Sequence, residues 1–356
     1  MNILKSTIEN SILKGINYLH QNQFPNGEYC CYIAYDDSMK HPIPEANLFP
    51  TSLISYALLN LTDHPKVQEM LQLTGNFLEY QSMHGGAWNN FTMAHPYFKI
   101  CPADVDNTAC ASIVMKAINR NYQNNEKILL YNRNKNQLFY TWFTVRHSFK
   151  GNKDYWRLLL RGFKHPMSTF LFWTQTEAGK YDVDGAVNAN VLFYLGLRDE
   201  TLPIINFMLD IIAENREDDC DNWYRNPFTI YYFFSRNLHS GKTALEPIRK
   251  PIVERILMTV KADGAIGGSV LDTALGIISL IKLDYRSAVL ANAIHYLTTQ
   301  QGEYGEWARF PLYYGGPKKL LCYGSEEITT GFCLEALALY EKEVVRIEQD
   351  INTDQV

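Results

Sequence analysis

A turn reading Gln81-Ser82-Met83-His84-Gly85-Gly86-Ala87-Trp88 separates two helical segments, and degenerate copies of it recur along the chain. Each copy begins with glutamine or lysine, then reaches a glycine and, two residues beyond it, a large apolar or aromatic side chain. The copies lie at residues 23–29, 81–88, 175–181, 261–266 and 301–307, and a turn without the glycine lies at 218–223. A period of this kind indicates one repeated structural unit.

The segments before and after these turns differ in their apolar pattern. Before the first turn, Ile8, Ile12 and Ile16 recur at helical spacing with Lys5 and Glu9 opposite, which predicts a helix with one exposed face. The segments after the turns are apolar around most of the helix, which predicts burial on all sides. The outer segments are 5–20, 66–80, 158–173, 200–214, 246–260 and 286–299, and the inner ones start near Thr51, Asn107, Ala186, Pro227, Thr273 and Ile328.

Six outer and six inner helices in alternation predict an all-α fold, a single-domain (α/α)6 toroid spanning residues 1–356. An open helical solenoid is the alternative architecture. The alternation of outer and inner segments is interrupted at residues 120–157, where an Asn- and Lys-rich run precedes the aromatic stretch 138–143. Because insertions in repeat folds collect on one face, we expect this segment to cover a binding pocket.

Composition narrows the classes of function. The 356 residues carry a net charge of −5, which argues against a nucleic-acid partner. The seven cysteines show no CxxC spacing, and the first residues lack the apolar core of a signal peptide, so we expect reduced thiols in a cytoplasmic protein. No run approaches the roughly 18 apolar residues of a transmembrane helix. Peripheral membrane contact and oligomeric state are left open by the sequence.

Acidic residues precede every inner segment, and a toroid gathers these positions around one mouth. They are Asp36, Asp37, Glu45, Asp104, Asp106, Asp182, Asp184, Asp218, Asp219, Asp221, Asp272, Glu326 and Glu327. Helix capping explains any one of them, since acids suit a helix N-terminus. Two Asp-Val-Asp pairs, 104–106 and 182–184, exceed what one cap requires. Within the first pair, Asp104 is the expected cap and Asp106 the surplus acid.

The turns and the first acidic pair together resemble the class II terpene cyclases of the squalene-hopene cyclase type. The turns at 81–88 and 301–307 match the Gln-Trp repeat of that family. The sequence Asp104-Val105-Asp106-Asn107-Thr108-Ala109 matches its Asp-x-Asp-Asp-Thr-Ala acid motif except at Asn107. Familiar members have two helical domains with the active site between them, whereas here one toroid would enclose the substrate.

The resemblance implies that Asp106 is the general acid, protonating a terminal alkene or epoxide of a small isoprenoid substrate, with Asp104 and Asn107 orienting the proton. Asp184 is the second candidate for the acid. No cofactor is implied, apart from Mg²⁺ if the substrate carries a diphosphate. Carbocations formed in a dry pocket are stabilised by aromatic faces. The candidate pocket residues, besides Asp184, are Trp88, Phe91, Tyr97, Phe98, Tyr181, Tyr313, Tyr314 and Tyr323.

Three other functions fit parts of the pattern. The run Asp218-Asp219-Cys220 resembles part of a protein prenyltransferase zinc site, but no histidine precedes a suitable inner segment. Paired carboxylates also serve glycoside hydrolases on (α/α)6 barrels, with Asp106 and either Asp184 or Glu327 as acid and base. A toroid that binds a lipid or peptide without catalysis would use its acids only as caps. A closed apolar cavity favours a terpene, and an open polar cleft favours a sugar.

Overall fold

The computed structural model describes residues 2–146 and 152–353, with side chains from residue 5 to residue 343 outside that gap. The described residues form fourteen α-helices, numbered in chain order, in two concentric sets and one extra pair. The inner helices are α2 (Leu48–Leu58), α4 (Val105–Ala117), α8 (Gly185–Leu195), α10 (Pro227–His239), α12 (Val270–Lys282) and α14 (Glu326–Thr353). The outer helices are α1 (Asn2–Asn22), α3 (Pro65–Gln81), α5 (Glu126–Tyr131), α9 (Leu202–Ala213), α11 (Arg249–Leu257) and α13 (Ala288–Thr299).

The inner helices form a closed ring. Each packs on the next along the chain, and α14 packs back on α2, which closes the circle. The predicted toroid of inner and outer helices is therefore confirmed, and an open solenoid is excluded. Helices α2, α4 and α12 are buried along nearly their whole described length, as their apolar circumference predicts.

Two side chains of the repeated turn hold it in place, one within its own unit and one on the next unit. The indoles of Trp88 and Trp307 donate hydrogen bonds of 2.8 Å to the carbonyls of Leu78 and Leu297, ten residues upstream in the preceding outer helix. The amide of Gln301 reaches forward to the carbonyl of Ser11, at 3.0 Å. The Gln301 bond joins the last unit of the ring to the first.

The turn glycines permit close approach of two backbones. Gly86 has φ +70°, and a β-carbon there would lie 2.0 Å from the carbonyl oxygen of Gln123. Gly27 and Gly305 stand in the same relation to α3 and α1. The segment that Gly86 contacts leads directly into α5, so the short helix α5 occupies the third outer position of the ring.

Two features differ from the sequence prediction. The third outer helix was expected at 158–173, but α5 takes that position, and this later segment forms an extra pair of helices, α6 (Lys153–Lys164) and α7 (Pro166–Gln175), broken where Pro166 cannot continue α6. A four-stranded antiparallel sheet of order β2-β1-β4-β3 was not predicted, because strands of three or four residues leave almost no periodic signal. The strands are β1 (Cys31–Ala34), β2 (Ile43–Glu45), β3 (Tyr313–Gly315) and β4 (Leu321–Gly324). The sheet links the first unit to the last.

Five short 3-10 helices complete the described secondary structure. They span Leu59–Leu61, His84–Gly86, Pro96–Lys99, Thr243–Ile248 and Pro317–Lys319. Within the described residues, no helix combines the length and the apolarity needed to cross a bilayer.

Candidate active site

A cavity of about 350 Å³ lies at the N-terminal ends of the inner helices. Its size is within the range of small-molecule sites. Two acidic residues, Asp104 and Asp106, are the only charged side chains among its described lining residues, and ten lining residues are aromatic. The aromatic ones are Phe49, Phe91, Tyr97, Trp142, Phe172, Trp223, Tyr224, Tyr313, Tyr314 and Tyr323. The cavity is thus an apolar chamber with a carboxyl pair at one wall.

Asp104 caps α4. Its Oδ1 accepts a hydrogen bond of 2.7 Å from the backbone N–H of Asn107, and the Asn107 side-chain amide donates to both carboxyl oxygens at 3.0 Å. Burial raises the pKa of Asp104 to about 7, against the opposing effect of these hydrogen bonds, and the nearby Asp106 raises it further. Asp104 therefore acts as the N-cap of α4, although it also lines the cavity.

Asp106 begins the first turn of α4 and is not used as a cap. Its Oδ1 accepts a hydrogen bond of 2.5 Å from the Asn190 amide of α8, and its Oδ2 accepts one of 2.7 Å from the Tyr224 hydroxyl. Burial raises the pKa of Asp106, while Asn190, Tyr224 and the positive charge of Arg236 oppose that rise. Burial thus favours the neutral carboxyl of Asp106, while its three polar neighbours favour the carboxylate.

The orientation of Asn190 is fixed by a second contact. The guanidinium of Arg236, on α10, donates to Asn190 Oδ1. Since a guanidinium has no acceptor, Asn190 must turn its oxygen to Arg236 and its NH₂ to Asp106. The Asn190 NH₂ can only donate, so Oδ1 of Asp106 stays an acceptor, whereas the Tyr224 hydroxyl beside Oδ2 can donate or accept, which leaves Oδ2 as the oxygen that can carry a proton.

Arg236 is fully buried, although no carboxylate of the described residues forms an ion pair with it. Its guanidinium carbon lies 4.2 Å from the centroid of Phe193, 4.9 Å from that of Tyr56 and 5.1 Å from that of Phe233. Aromatic faces stabilise a desolvated cation. The charge is thereby held at the end of the Arg236–Asn190–Asp106 chain of hydrogen bonds.

The structure differs from the sequence expectation in what orients Asp106. Asn107 was expected to donate to Asp106, but its side-chain amide is bound to Asp104 instead. The donors to Asp106 come from other units of the ring. Three groups act on Asp106, namely Asn190, Arg236 and Tyr224. The first two could have been identified from the sequence, because each is a polar or charged residue inside an otherwise apolar inner helix. Nothing in the sequence singles out Tyr224.

The predicted pocket residues divide into two groups. Phe91, Tyr97, Tyr313, Tyr314 and Tyr323 line the cavity, and Tyr313 and Tyr323 stack with ring centroids 4.6 Å apart. Four others lie outside the lining. Trp88 is in the core, Phe98 lies under Arg161 at the surface, Tyr181 is 63% exposed, and Asp184 is buried behind Thr141.

Asp184 and its neighbours form a structural cluster. Its carboxylate accepts from the Thr141 hydroxyl at 2.5 Å and from the Asn222 backbone N–H at 3.0 Å. Burial raises its pKa to about 6. The neighbouring Asp221 accepts backbone N–H groups from Ala186, Trp223 and Tyr224. Both carboxylates therefore hold together the loops that carry the cavity wall.

The other acids of the expected ring serve local contacts. Asp272 accepts from the Gly268 backbone and from Asn226, and Glu327 accepts from the Tyr18 hydroxyl at 3.3 Å. Ser269 and Ser325, not acids, cap the start of α12 and the start of α14. Among the described residues, Asp104 and Asp106 are the acids predicted at the mouth that line the cavity.

The insertion at 120–157 contributes to the wall of the cavity. Thr141 and Trp142 line it, and the Val105 backbone N–H donates to the Thr141 carbonyl at 2.8 Å. Residues 147–151 of this segment lie outside the described residues. Further lining comes from α7 and from the loop at 315–317.

The alternative sites receive little support. Across the described residues, no three His, Cys, Asp or Glu side chains are placed to hold a metal ion. Cys220, the candidate zinc ligand, contacts the carbonyl of Glu217 at 3.7 Å. Neither Asp184 nor Glu327 lines the cavity, so the carboxylate pairs expected of a glycoside hydrolase do not meet there.

Comparison with solved structures identifies proteins with the same architecture. The chain superposes on a variant of the type II terpene cyclase MstE from Scytonema in complex with its substrate, geranylgeranyl dihydroxybenzoate, with a TM-score of 0.70 and 15% identity over 96% of this chain and 99% of that one. The apo form of MstE gives a TM-score of 0.67 with 16% identity, over 94% and 98% of the two chains.

A larger protein shares part of the fold. The ent-copalyl diphosphate synthase from Streptomyces platensis matches with a TM-score of 0.51 and 16% identity, over 82% of this chain and 50% of that one. No family model and no curated protein sequence matches this chain. On the structural matches, the chain has the fold of the type II terpene cyclases.

Proposed function

We propose that this protein is a terpene or meroterpenoid cyclase that starts its reaction by protonating a terminal alkene or epoxide with Asp106. The observation that carries the proposal is the position of Asp106. It is a buried carboxyl with two hydrogen-bond donors, and it faces a cavity whose other walls are mainly aromatic. The similar architecture of MstE, which binds an isoprenoid with an aromatic head group, supports the substrate class.

For an alkene substrate, the proposed reaction begins with transfer of the Asp106 proton from Oδ2 to the less substituted carbon of the terminal double bond. The π electrons form the new C–H bond and leave a tertiary carbocation, which the next double bond of the chain attacks. Alkenes are very weak bases, so the acid must be neutral before reaction and its anion must be stabilised afterwards. Burial favours the first condition, while Asn190 and Tyr224 favour the second.

The cavity walls suit the later steps. Successive carbocations would lie against the rings of residues such as Phe49, Trp142 and Tyr313, whose faces attract positive charge. Water is kept from the cation by the same walls, until a proton is lost or a nucleophile adds. This chemistry needs no metal ion. A substrate with a diphosphate head group would bring Mg²⁺ with it.

The test is the variant Asp106→Asn, assayed with linear prenyl substrates of several lengths, with and without an aryl or diphosphate head, and mass spectrometry of the products. We expect at least a thousandfold loss of cyclisation, about the upper part of the range for a general acid. Asp184→Asn is the matched control, because it neutralises the equivalent aspartate of the second Asp-Val-Asp pair behind the cavity wall. Circular dichroism and thermal melting check that both variants fold.

Three outcomes bear on the proposal. Full turnover by Asp106→Asn removes this residue from the acid role, and a larger loss in Asp184→Asn than in Asp106→Asn moves the role to Asp184. A protein that binds prenyl compounds but converts none of them is a lipid-binding toroid, the remaining alternative for this cavity.

A further inference from the structure

A groove of about 790 Å³ lies between α6 and the segment 83–98, apart from the cavity that holds Asp106. Its volume is within the range of small-molecule sites. Of the described residues that line it, six are apolar, three are arginine or lysine and none is acidic. We call it the α6 groove. Its charge is therefore opposite to that of the cavity, whose charged lining residues are aspartates.

Arg161 is the distinctive side chain of this groove. Its guanidinium carbon lies 3.7 Å from the centroid of the Phe98 ring, an arrangement that stabilises a cation. Burial lowers the pKa of Arg161 to about 10, so the group is still charged at neutral pH. No carboxylate of the described residues forms an ion pair with it. A partly buried positive charge is thus left without a negative partner.

The hydrogen bonds of Arg161 are also incomplete. Its Nη1 contacts the Met83 sulfur at 3.5 Å, and a thioether is a weak acceptor. Its Nη2 is buried and has no hydrogen-bond partner among the described residues. A guanidinium presents two parallel N–H donors that match the two oxygens of a carboxylate. A bound carboxylate could displace the flexible Met83 side chain and accept from both nitrogens.

The other cations of the α6 groove need no partner of their own. Arg157 lies 3.8 Å from the carboxylate of Asp154, and Lys164 is exposed to solvent at the end of α6. One negative charge is therefore sufficient to compensate Arg161. A diphosphate would bring further charge into a mainly apolar groove, where desolvation of an uncompensated charge is costly. The groove favours a monoanion.

Both walls of the α6 groove carry exposed apolar side chains. Leu160 and Phe163 of α6 are 50% and 59% exposed, and Met93 of the opposite segment is 37% exposed. A ligand that covers them removes apolar area from water, which favours binding. The ligand that suits this groove therefore has an apolar chain or ring attached to its carboxylate.

We propose that the α6 groove is a second ligand site, which binds a hydrophobic carboxylic acid through Arg161. This inference is independent of the proposed reaction, because no described residue lines both the groove and the cavity. The two sites share a wall. Phe98 lines the groove, and its neighbour Tyr97 lines the cavity.

The test is titration of the full-length protein, with ¹³C-labelled methionine methyl groups, with octanoate below its micelle concentration. We expect saturable NMR shifts of the Met83 and Met93 signals, assigned by replacement with leucine, and no shift of Met258, which is exposed elsewhere. No methionine is among the described lining residues of the cavity, so binding there would not give this pattern. The uncharged 1-octanol should bind at least tenfold more weakly, because it cannot pair with Arg161.

Substitutions identify the residue that binds the acid. Arg161→Gln should weaken octanoate binding about 10- to 100-fold, the range for a hydrogen bond to a charged group. The matched control is Arg216→Gln, which removes the same charge from the turn after α9 and should bind octanoate as the unmodified protein does. Thermal melting checks that both variants fold, and the comparison of octanoate with 1-octanol needs no variant. Equal affinity for the two compounds, saturable shifts that spare Met83 and Met93, no octanoate binding, or equal octanoate affinity of Arg161→Gln and Arg216→Gln would overturn the proposal.

Discussion

Tyr224→Phe is the most informative substitution, because it removes one hydrogen bond from Asp106 and little else. The hydroxyl donates to Oδ2 at 2.7 Å, and both residues are buried, with exposed fractions of 2% and 8%. A hydrogen bond to a charged group contributes about 1.5–3 kcal/mol. Loss of that stabilisation from the carboxylate should raise the pKa of Asp106 by about 1 to 2, since each pKa unit corresponds to about 1.4 kcal/mol.

Two kinetic changes should follow from that rise. The rate requires neutral Asp106, so it falls as pH rises through the pKa, and in Tyr224→Phe this fall should move to higher pH by about 1 to 2 units. The rate at low pH should drop about 10- to 100-fold, because the carboxylate that remains after proton transfer has lost a donor. The assay is the pH dependence of kcat, with products measured by mass spectrometry.

Tyr323→Phe provides the control, because Tyr323 lines the same cavity and has no hydrogen bond to Asp106 among the described contacts. Its pH profile should match that of the unmodified protein. Infrared spectroscopy of the protonated carboxyl gives a second reading of the Asp106 pKa without substrate. An unchanged pH profile in Tyr224→Phe, or the same change in both variants, would refute the assignment of Tyr224 as the donor that tunes Asp106.

Two further predictions concern stability. Burial raises the pKa of Asp104 from 3.8 to about 7. Between those two pH values the folded protein holds a proton that the unfolded chain releases. The free energy of unfolding should therefore fall by about 1.4 kcal/mol for each unit by which the pH rises. Asp104→Asn, which keeps a capping oxygen, should flatten this dependence in urea titrations at several pH values; parallel curves for the two proteins would contradict it. Gly86→Ala should cost about 4 kcal/mol in the same assay, because its β-carbon would lie 2.0 Å from the Gln123 carbonyl oxygen. Gly196→Ala, with φ +76°, ψ −177° and no atom within 4 Å, should cost only about 1–3 kcal/mol, and equal losses would argue against close backbone approach as the reason for the glycine.

The sequence was sufficient for the six inner helices and for five of the six outer ones, because the repeat is local. The turn glycine, the tryptophan indole and the glutamine amide each act within a few residues or on the adjoining unit, so their pattern is visible along the chain. The starts of the inner helices followed from the change in apolar pattern after each turn. Helices α6 and α7 were harder to predict, because the break at Pro166 lies inside a segment with helical periodicity throughout.

The small sheet escaped prediction for a different reason. Strands β1 and β4 pair across almost the whole chain, with Tyr32 opposite Gly324, and each has only four residues. Pairing at that distance is set by closure of the ring, which no local pattern contains.

The acid motif was visible in the sequence, whereas its environment was decided by tertiary structure. Asp104 and Asp106 are adjacent to the helix start that the repeat predicts, so a cap and a surplus acid could be assigned from spacing. The groups that hold Asp106 come from 84 and 118 residues away, at Asn190 and Tyr224. Because a pKa depends on burial and on donors within a few ångströms, the chemistry of Asp106 is fixed only when the closed ring brings these helices together.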